Sequence, residues 1–185
     1  MALIRKLIRN SSSNSAAEYL RKRGIECLWH FTAASNLDSI RDNGLYSWVS
    51  CKRNGIDVSV YGGDEISHRL DRRYGLEDYV RMSLCSDHPM CFSKLKKQGI
   101  DAVVLPISLD ILRYDPDFIC SDINATDNDH RTASGLAGLE IIDYSAVKKR
   151  FVKGDDPAFK KHQAEIMVSE HIPARFIDFD SMIEG

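Results

Sequence analysis

No apolar run in this chain approaches the roughly 18 residues that a membrane span needs, which excludes a helical membrane protein. Cysteine is scarce and unpatterned. Cys27, Cys51, Cys85, Cys91 and Cys120 are odd in number and never spaced C-x-x-C, so neither a disulfide framework nor a zinc site is expected, and reduced thiols are. Charge of either sign is not in excess: the formal net charge is −2, which excludes coating of nucleic acid by bulk electrostatics and leaves room for a local basic stripe. The first ten residues alternate apolar and basic types without a secretory apolar core, so a cytoplasmic protein with no membrane partner is expected. The P-loop, G-x-G-x-x-G, H-E-x-x-H and G-x-S-x-G motifs are all missing, and the kinase, Rossmann dehydrogenase, zincin and α/β-hydrolase classes lose their support with them.

What is present suits one folded unit. The 185 residues, 43% hydrophobic and 28% charged, are enough for a single domain over 1–185 with a helical lead-in over 1–24. The serine run at 11–15 reads as a loop or cap before a helix over 16–23. A strand over 25–32 leads to a short helix over 36–44. Residues 50–63, with three glycines among polar residues, read as a loop before a helix over 64–73. Strands are expected over 79–84, 102–107, 118–120, 163–168 and 172–179, with a short helix over 89–97. The order is α+β without βαβ repetition.

Three constellations carry chemistry. Trp29-His30-Phe31-Thr32 ends the first strand, and alternation puts His30 and Thr32 on one face opposite Phe31, where they suit a ribose or carboxamide. The plainer alternative is a histidine that caps the next turn. Glu165 begins an otherwise apolar strand, Ile166-Met167-Val168, where a carboxylate needs a compensating partner, and Gln163 shares its face. An edge-strand acid facing water stays open as the alternative. Arg69, Arg72 and Arg73 share one side of a helix and suit pyrophosphate, although taken alone a solvated face paired with Asp71 or Glu65 is the favoured reading. The nearness of Cys85 to His88 offers only a weak case for thiol catalysis.

In order along the chain, these pieces resemble the DarT family of nucleic-acid ADP-ribosyltransferases, toxins of toxin–antitoxin and phage-defence systems. The resemblance runs from about Leu28 to Phe179. It rests on His30-x-Thr32, Asn36-Leu37 through Gly44, Asp71-Arg72-Arg73, Leu76-Glu77-Asp78-Tyr79-Val80, Pro89-Met90, Ser121 to Thr126 and Gln163-Ala164-Glu165-Ile166-Met167-Val168. Two departures stand out. The segment between the arginines and Asp78-Tyr79-Val80 is short, and Arg81-Met82-Ser83-Leu84-Cys85 replaces an aromatic-rich strand.

The resemblance implies an ADP-ribosyltransferase-like split mixed β-core with flanking helices, NAD consumed as co-substrate and no metal. It implies that Glu165 is catalytic, with Arg72 or Arg73. His30, Thr32, Asn36, Arg69 and Tyr79 would bind NAD, and Asn124, Thr126, His130, Arg131, Lys160 and Lys161 would bind a single-stranded DNA or RNA substrate. Glu165 would stabilise an oxocarbenium-like ribose as nicotinamide leaves and take the acceptor's proton. A neutralising antitoxin is the implied partner. A protein-directed ADP-ribosyltransferase, an NAD-dependent RNA 2′-phosphotransferase and a non-enzymatic NAD-fold binding module are the rival functions.

Overall fold

The computed structural model describes residues 16–60, 65–94 and 98–184. The expectations for residues 1–15 lie outside them. The strands are β1 (Cys27–Ala33), β2 (Leu45–Tyr46), β3 (Tyr79–Ser83), β4 (Ala102–Ser108), β5 (Ile119–Ser121), β6 (Thr132–Ser134), β7 (Glu165–Ser169), β8 (His171–Ile172) and β9 (Ile183–Glu184). A first helix, α1, covers residues 16–21. It is followed by α2 (Leu37–Asn43), α3 (Trp48–Asn54), α4 (Glu65–Tyr74), α5 (Pro89–Lys94), α6 (Ile111–Tyr114), α7 (Gly135–Glu140), α8 (Tyr144–Val147) and α9 (Phe159–His162).

Among the described residues, seven strands form one sheet in the order β6, β5, β7, β3, β1, β4, β9, and β2 pairs with β8 in a second. The α+β class and flanking helices match expectation, and the strand direction resolves to antiparallel in every pairing. The apolar run of β4 is buried at six consecutive positions because the strand is covered on both faces. Leu20, Leu28, Leu105, Ile107 and Ile166 are fully buried, each contributing about 1.5–3 kcal/mol by leaving water.

The sheet is split at its centre. Strand β1 pairs with β4 along its whole length, from Cys27 opposite Ser108 to Ala33 opposite Ala102, but meets β3 at only Trp29 and Ser83. Beyond that one pair β1 and β3 part company, and the space between them is the mouth of a cavity.

Two expectations are corrected. Residues 50–63 are not wholly loop, because α3 runs to Asn54; its cap is Ser47, whose hydroxyl accepts the Ser50 amide at 3.0 Å. The strand expected over 172–179 ends at Ile172. A 3₁₀ turn at Ala174–Phe176 follows Pro173, and only Ile177 returns to the sheet, as an isolated bridge to Ile107.

Candidate active site

The cavity between β1 and β3 has a volume of about 230 Å³. Strand β1 supplies Trp29, His30, Phe31 and Thr32 to its wall, β3 supplies Tyr79 and Arg81, α4 supplies Asp71, and Glu165 closes the far side. Phe31 was expected on the opposite face from His30; both line the cavity, since it reaches round the end of the strand.

Glu165 starts β7, a central strand between β3 and β5, so the edge-strand alternative falls away. Its Cα stands in register with Ser83 on one side and Ser121 on the other. The carboxylate is nearly buried, and two donors converge on Oε2: the Ala125 amide at 2.8 Å and the Arg81 guanidinium at 3.2 Å. Arg81 also donates to Asp71 through its second nitrogen. One guanidinium thus joins two carboxylates from different elements in a largely buried fork. Burial raises the pKa of Asp71, and Glu165 adds to the rise while Arg81 opposes it.

His30 donates from Nδ1 to the Arg81 carbonyl at 2.9 Å, which fixes its tautomer and leaves Nε2 as an acceptor in the neutral ring. Burial holds its pKa below the ordinary histidine value. Asn36 is buried behind Thr32. Its amide donates to Thr32 Oγ1 at 3.1 Å and to the Val60 carbonyl at 2.7 Å, and its oxygen accepts the Val60 amide at 3.2 Å. Asp78 works from outside the cavity, accepting from Ser47 at 2.6 Å and Ser50 at 2.7 Å, and so seats the first turn of α3. That turn carries Trp48, stacked on His68 with ring centroids 4.6 Å apart.

The other expected residues are distributed as follows. Asn124 and Thr126 line the cavity, with the Asn124 side chain accepting from Thr126. Arg69, Arg72 and Arg73 lie on the exposed side of α4, outside the cavity, because the inward side of that helix presents Ser67, His68 and Asp71. Arg72 rests 5.4 Å from the Trp48 ring. His130 packs edge-on against Tyr74 at 4.7 Å, Arg131 pairs with Asp122 at 2.7 Å, Lys160 with Asp127 at 2.9 Å, and Lys161 with Asp143 at 3.1 Å. Gln163, expected to reach the same ligand as Glu165, precedes β7 and donates to the Phe159 carbonyl at 3.2 Å instead.

Arg81 was passed over in the sequence as a departure from a pattern. The signal was the same as for Glu165: a charge at an inward position of a core strand, on one face with Tyr79 and Ser83.

The histidine that Cys85 contacts is His162. The Cys85 Sγ is 3.5 Å from His162 Nε2, and Asp87 Oδ1 is 3.8 Å from that nitrogen. The three ligand atoms lie within 4.8 Å of one another. The His162 Nδ1 donates to the Ala146 carbonyl at 3.0 Å, so Nε2 is free to accept the thiol proton. Burial, helped by Asp87, pushes the Cys85 pKa up to about 12, which keeps it a thiol and removes it as a nucleophile.

The model of the family described as ssDNA thymidine ADP-ribosyltransferase, DarT, matches residues 29–179. The chain belongs to the DarT family. A DNA ADP-ribosyl transferase of Escherichia coli O127:H6 is 25% identical over 178 residues, covering 82% of this chain and 77% of the relative. The Thermosipho africanus DarTG solved with ADP-ribose superposes with a TM-score of 0.69 at 21% identity, covering 83% of this chain and 43% of that one. This chain therefore spans less than half the length of that DarTG. The Thermus sp. 2.9 DarT superposes with TM-scores of 0.64 in its NAD+ complex and 0.66 with ADP-ribosylated ssDNA, at 18% and 19% identity; each match covers 83% of this chain and 80% or 79% of that one. At these identities the superpositions bear on the DarT fold alone.

Proposed function

We propose that this chain transfers ADP-ribose from NAD to thymidine in single-stranded DNA, with Glu165 as the catalytic carboxylate. The observation that carries the proposal is the fixed carboxylate: a glutamate on the central strand, pinned through one oxygen by Ala125 and Arg81, at the wall of a cavity in a DarT family member.

The lining suits the dinucleotide. His30 Nε2 and the Thr32 hydroxyl offer the acceptor and donor pairing that a ribose or carboxamide requires, and Tyr79, Phe31 and Trp48 offer ring faces. Bound NAD supplies the ADP-ribosyl group and nicotinamide as the leaving group. The protein's part is electrostatic. Oε2 of Glu165 is committed to its two donors, which leaves Oε1 to face developing positive charge and to take the proton released by the acceptor base. Arg81 is a positioning residue in this scheme, and Asn36 holds Thr32. Asn124 and Thr126 stand on the acceptor side. Arg69, Arg72 and Arg73 would meet phosphate only from the solvent side.

The strand acted on is unpaired, because a base nitrogen inside a duplex is out of reach without flipping. A neutralising antitoxin and a cytoplasmic setting complete the proposal. Among the described residues no helix is long and apolar enough to cross a membrane.

The deciding experiment is transfer of label from NAD to single-stranded DNA, single-stranded RNA and bulk protein, by the native chain and by Glu165→Ala. Label on thymidine-containing DNA that the variant loses is the expected result. Label on protein alone overturns the nucleic-acid assignment, and an active Glu165→Ala overturns the role of the glutamate in favour of a histidine- and arginine-based phosphotransferase.

A further inference from the structure

Between α8 and α9 the chain holds a feature that the chemistry above does not use. Phe151 is a large apolar ring, 76% exposed. Its backbone has a φ of 53°, a region that bulky side chains rarely adopt. Such outliers persist where their surroundings impose them and concentrate at functional sites. Here the restraint is visible: the Phe151 amide donates to Asp87 Oδ2 at 2.5 Å. Asp87 is itself embedded beside the buried Cys85 and His162 pair, so a rigid interior network dictates where an exposed ring stands. Asp87 directly precedes His88, which lines the cavity, so one residue along the chain separates the anchor of the ring from the active-site wall.

Its surroundings carry more cations than acids, with Lys149 paired to Asp156 at 3.2 Å and Arg150 3.8 Å from Asp87. Lys148, Lys149, Arg150 and Lys153 are all exposed, and the Arg150 guanidinium lies 5.4 Å from the Phe151 ring centroid. A shallow surface hollow runs from Lys149 to Pro157 with the ring in its wall. An aromatic face among cations is the combination by which proteins hold unpaired nucleic acid: the ring stacks on a base and the cations follow the phosphates.

We infer that Phe151 is a stacking platform for an unpaired base that flanks the modified nucleotide, with Arg150 and Lys153 on the adjoining phosphates. This inference rests on the proposed action on single-stranded DNA. It adds a second grip on the strand, outside the cavity, that lends affinity without choosing the target base.

The test is fluorescence anisotropy of a short fluorescein-labelled single-stranded oligonucleotide containing thymidine, with the native chain, Phe151→Ala, Phe151→Trp and Phe151→Asn. Asparagine tolerates positive φ and has no stacking face, so it separates ring loss from backbone strain. Thermal melting checks that each variant is folded. The alanine and asparagine variants should bind roughly tenfold more weakly, and tryptophan should restore binding. An abasic site at one flanking position should weaken the native chain by a similar factor and add nothing to the loss in Phe151→Asn. Lys153→Gln should lower the salt dependence by about one released ion, whereas the phenylalanine variants leave that slope alone. Folded alanine and asparagine variants with native affinity overturn the platform while the transferase assignment stands. A native chain that neither binds nor labels single-stranded DNA overturns both.

Discussion

Arg81 reaches Glu165 across the β3 and β7 pair on a diagonal: its Cα is opposite Met167, yet its guanidinium donates to the glutamate two residues along, at 3.2 Å. Because the same guanidinium also serves Asp71, removing it leaves two carboxylates in a largely buried space with no cation between them.

Arg81→Met should therefore lower stability by about 3–5 kcal/mol, the range for breaking a buried pair. Adding Asp71→Asn should recover most of that loss, since only one charge then remains. Transfer activity should stay low in the double variant, because Glu165 still lacks its positioning donor. Urea denaturation measured beside the transfer rate checks both statements, and recovery of the rate with stability would reduce Arg81 to a purely structural role.

Glu165→Gln keeps the shape and the bonds to Oε2 and removes the charge. The transfer rate should fall at least about a hundredfold with little change in melting temperature. Single-turnover transfer of labelled ADP-ribose is the measurement.

How far the sequence disclosed this site depended on the kind of signal. His30, Thr32, Asn36, Tyr79, Asn124 and Thr126 were legible beside Glu165, because strand alternation and motif order mark polar groups that break an apolar pattern, and all seven line the cavity. The arginines were not legible. Arg69, Arg72 and Arg73 share a helix side, but periodicity cannot say which side faces inward, and the inward one carries His68 and Asp71. The helix at Trp48 was hidden by the glycines after it, although Ser47 was a cap signal in plain view. The Cys85 and His162 contact joins residues 77 positions apart, a distance over which neither spacing nor composition carries information.

Stability should fall on acidification before the carboxylates titrate. Burial, reinforced by nearby His162, holds the His88 pKa down to about 4, below the ordinary value of 6.5. Between those values the unfolded chain takes up a proton that the folded chain refuses. The contribution is complete above 6.5 and is lost as pH falls toward 4, for a total of about 3 kcal/mol. His30, also depressed by burial, acts in the same direction. Urea midpoints across this window should slope downward toward acid, and His88→Gln should flatten the slope; an unchanged slope would place the ring in contact with water.

Two glycines of positive φ, Gly44 extended in ψ at −170° and Gly55 left-handed helical at 27°, should respond differently to alanine. Gly44, at φ 83°, has the Ile172 carbonyl 2.4 Å from where a Cβ would sit, whereas Gly55, at φ 65°, has open space. Gly55→Ala should cost about 1 kcal/mol, the penalty of the left-handed backbone alone. Gly44→Ala should cost about 3 kcal/mol or more by also prising α2 from β8. Chemical denaturation of the pair checks the difference.

Asn36→Ala should leave the Val60 amide and carbonyl without their partner and cost about 1–3 kcal/mol. Hydrogen exchange at Val60 should accelerate, and the KM for NAD should rise more than kcat falls.

The sheet order also sets a timetable for the nascent chain. Strand β3 waits for β7, with Ser83 pairing to Glu165 82 residues later and Tyr79 to Ser169 90 residues later, and β5 waits for the same strand. Until β7 leaves the ribosome, the split between β1 and β3 lacks Glu165 and the sheet lacks its middle. Long-range closure of this kind is slow compared with helix formation. An incomplete chain therefore has no complete site: the proposed transfer can begin only after synthesis has passed the last central strand.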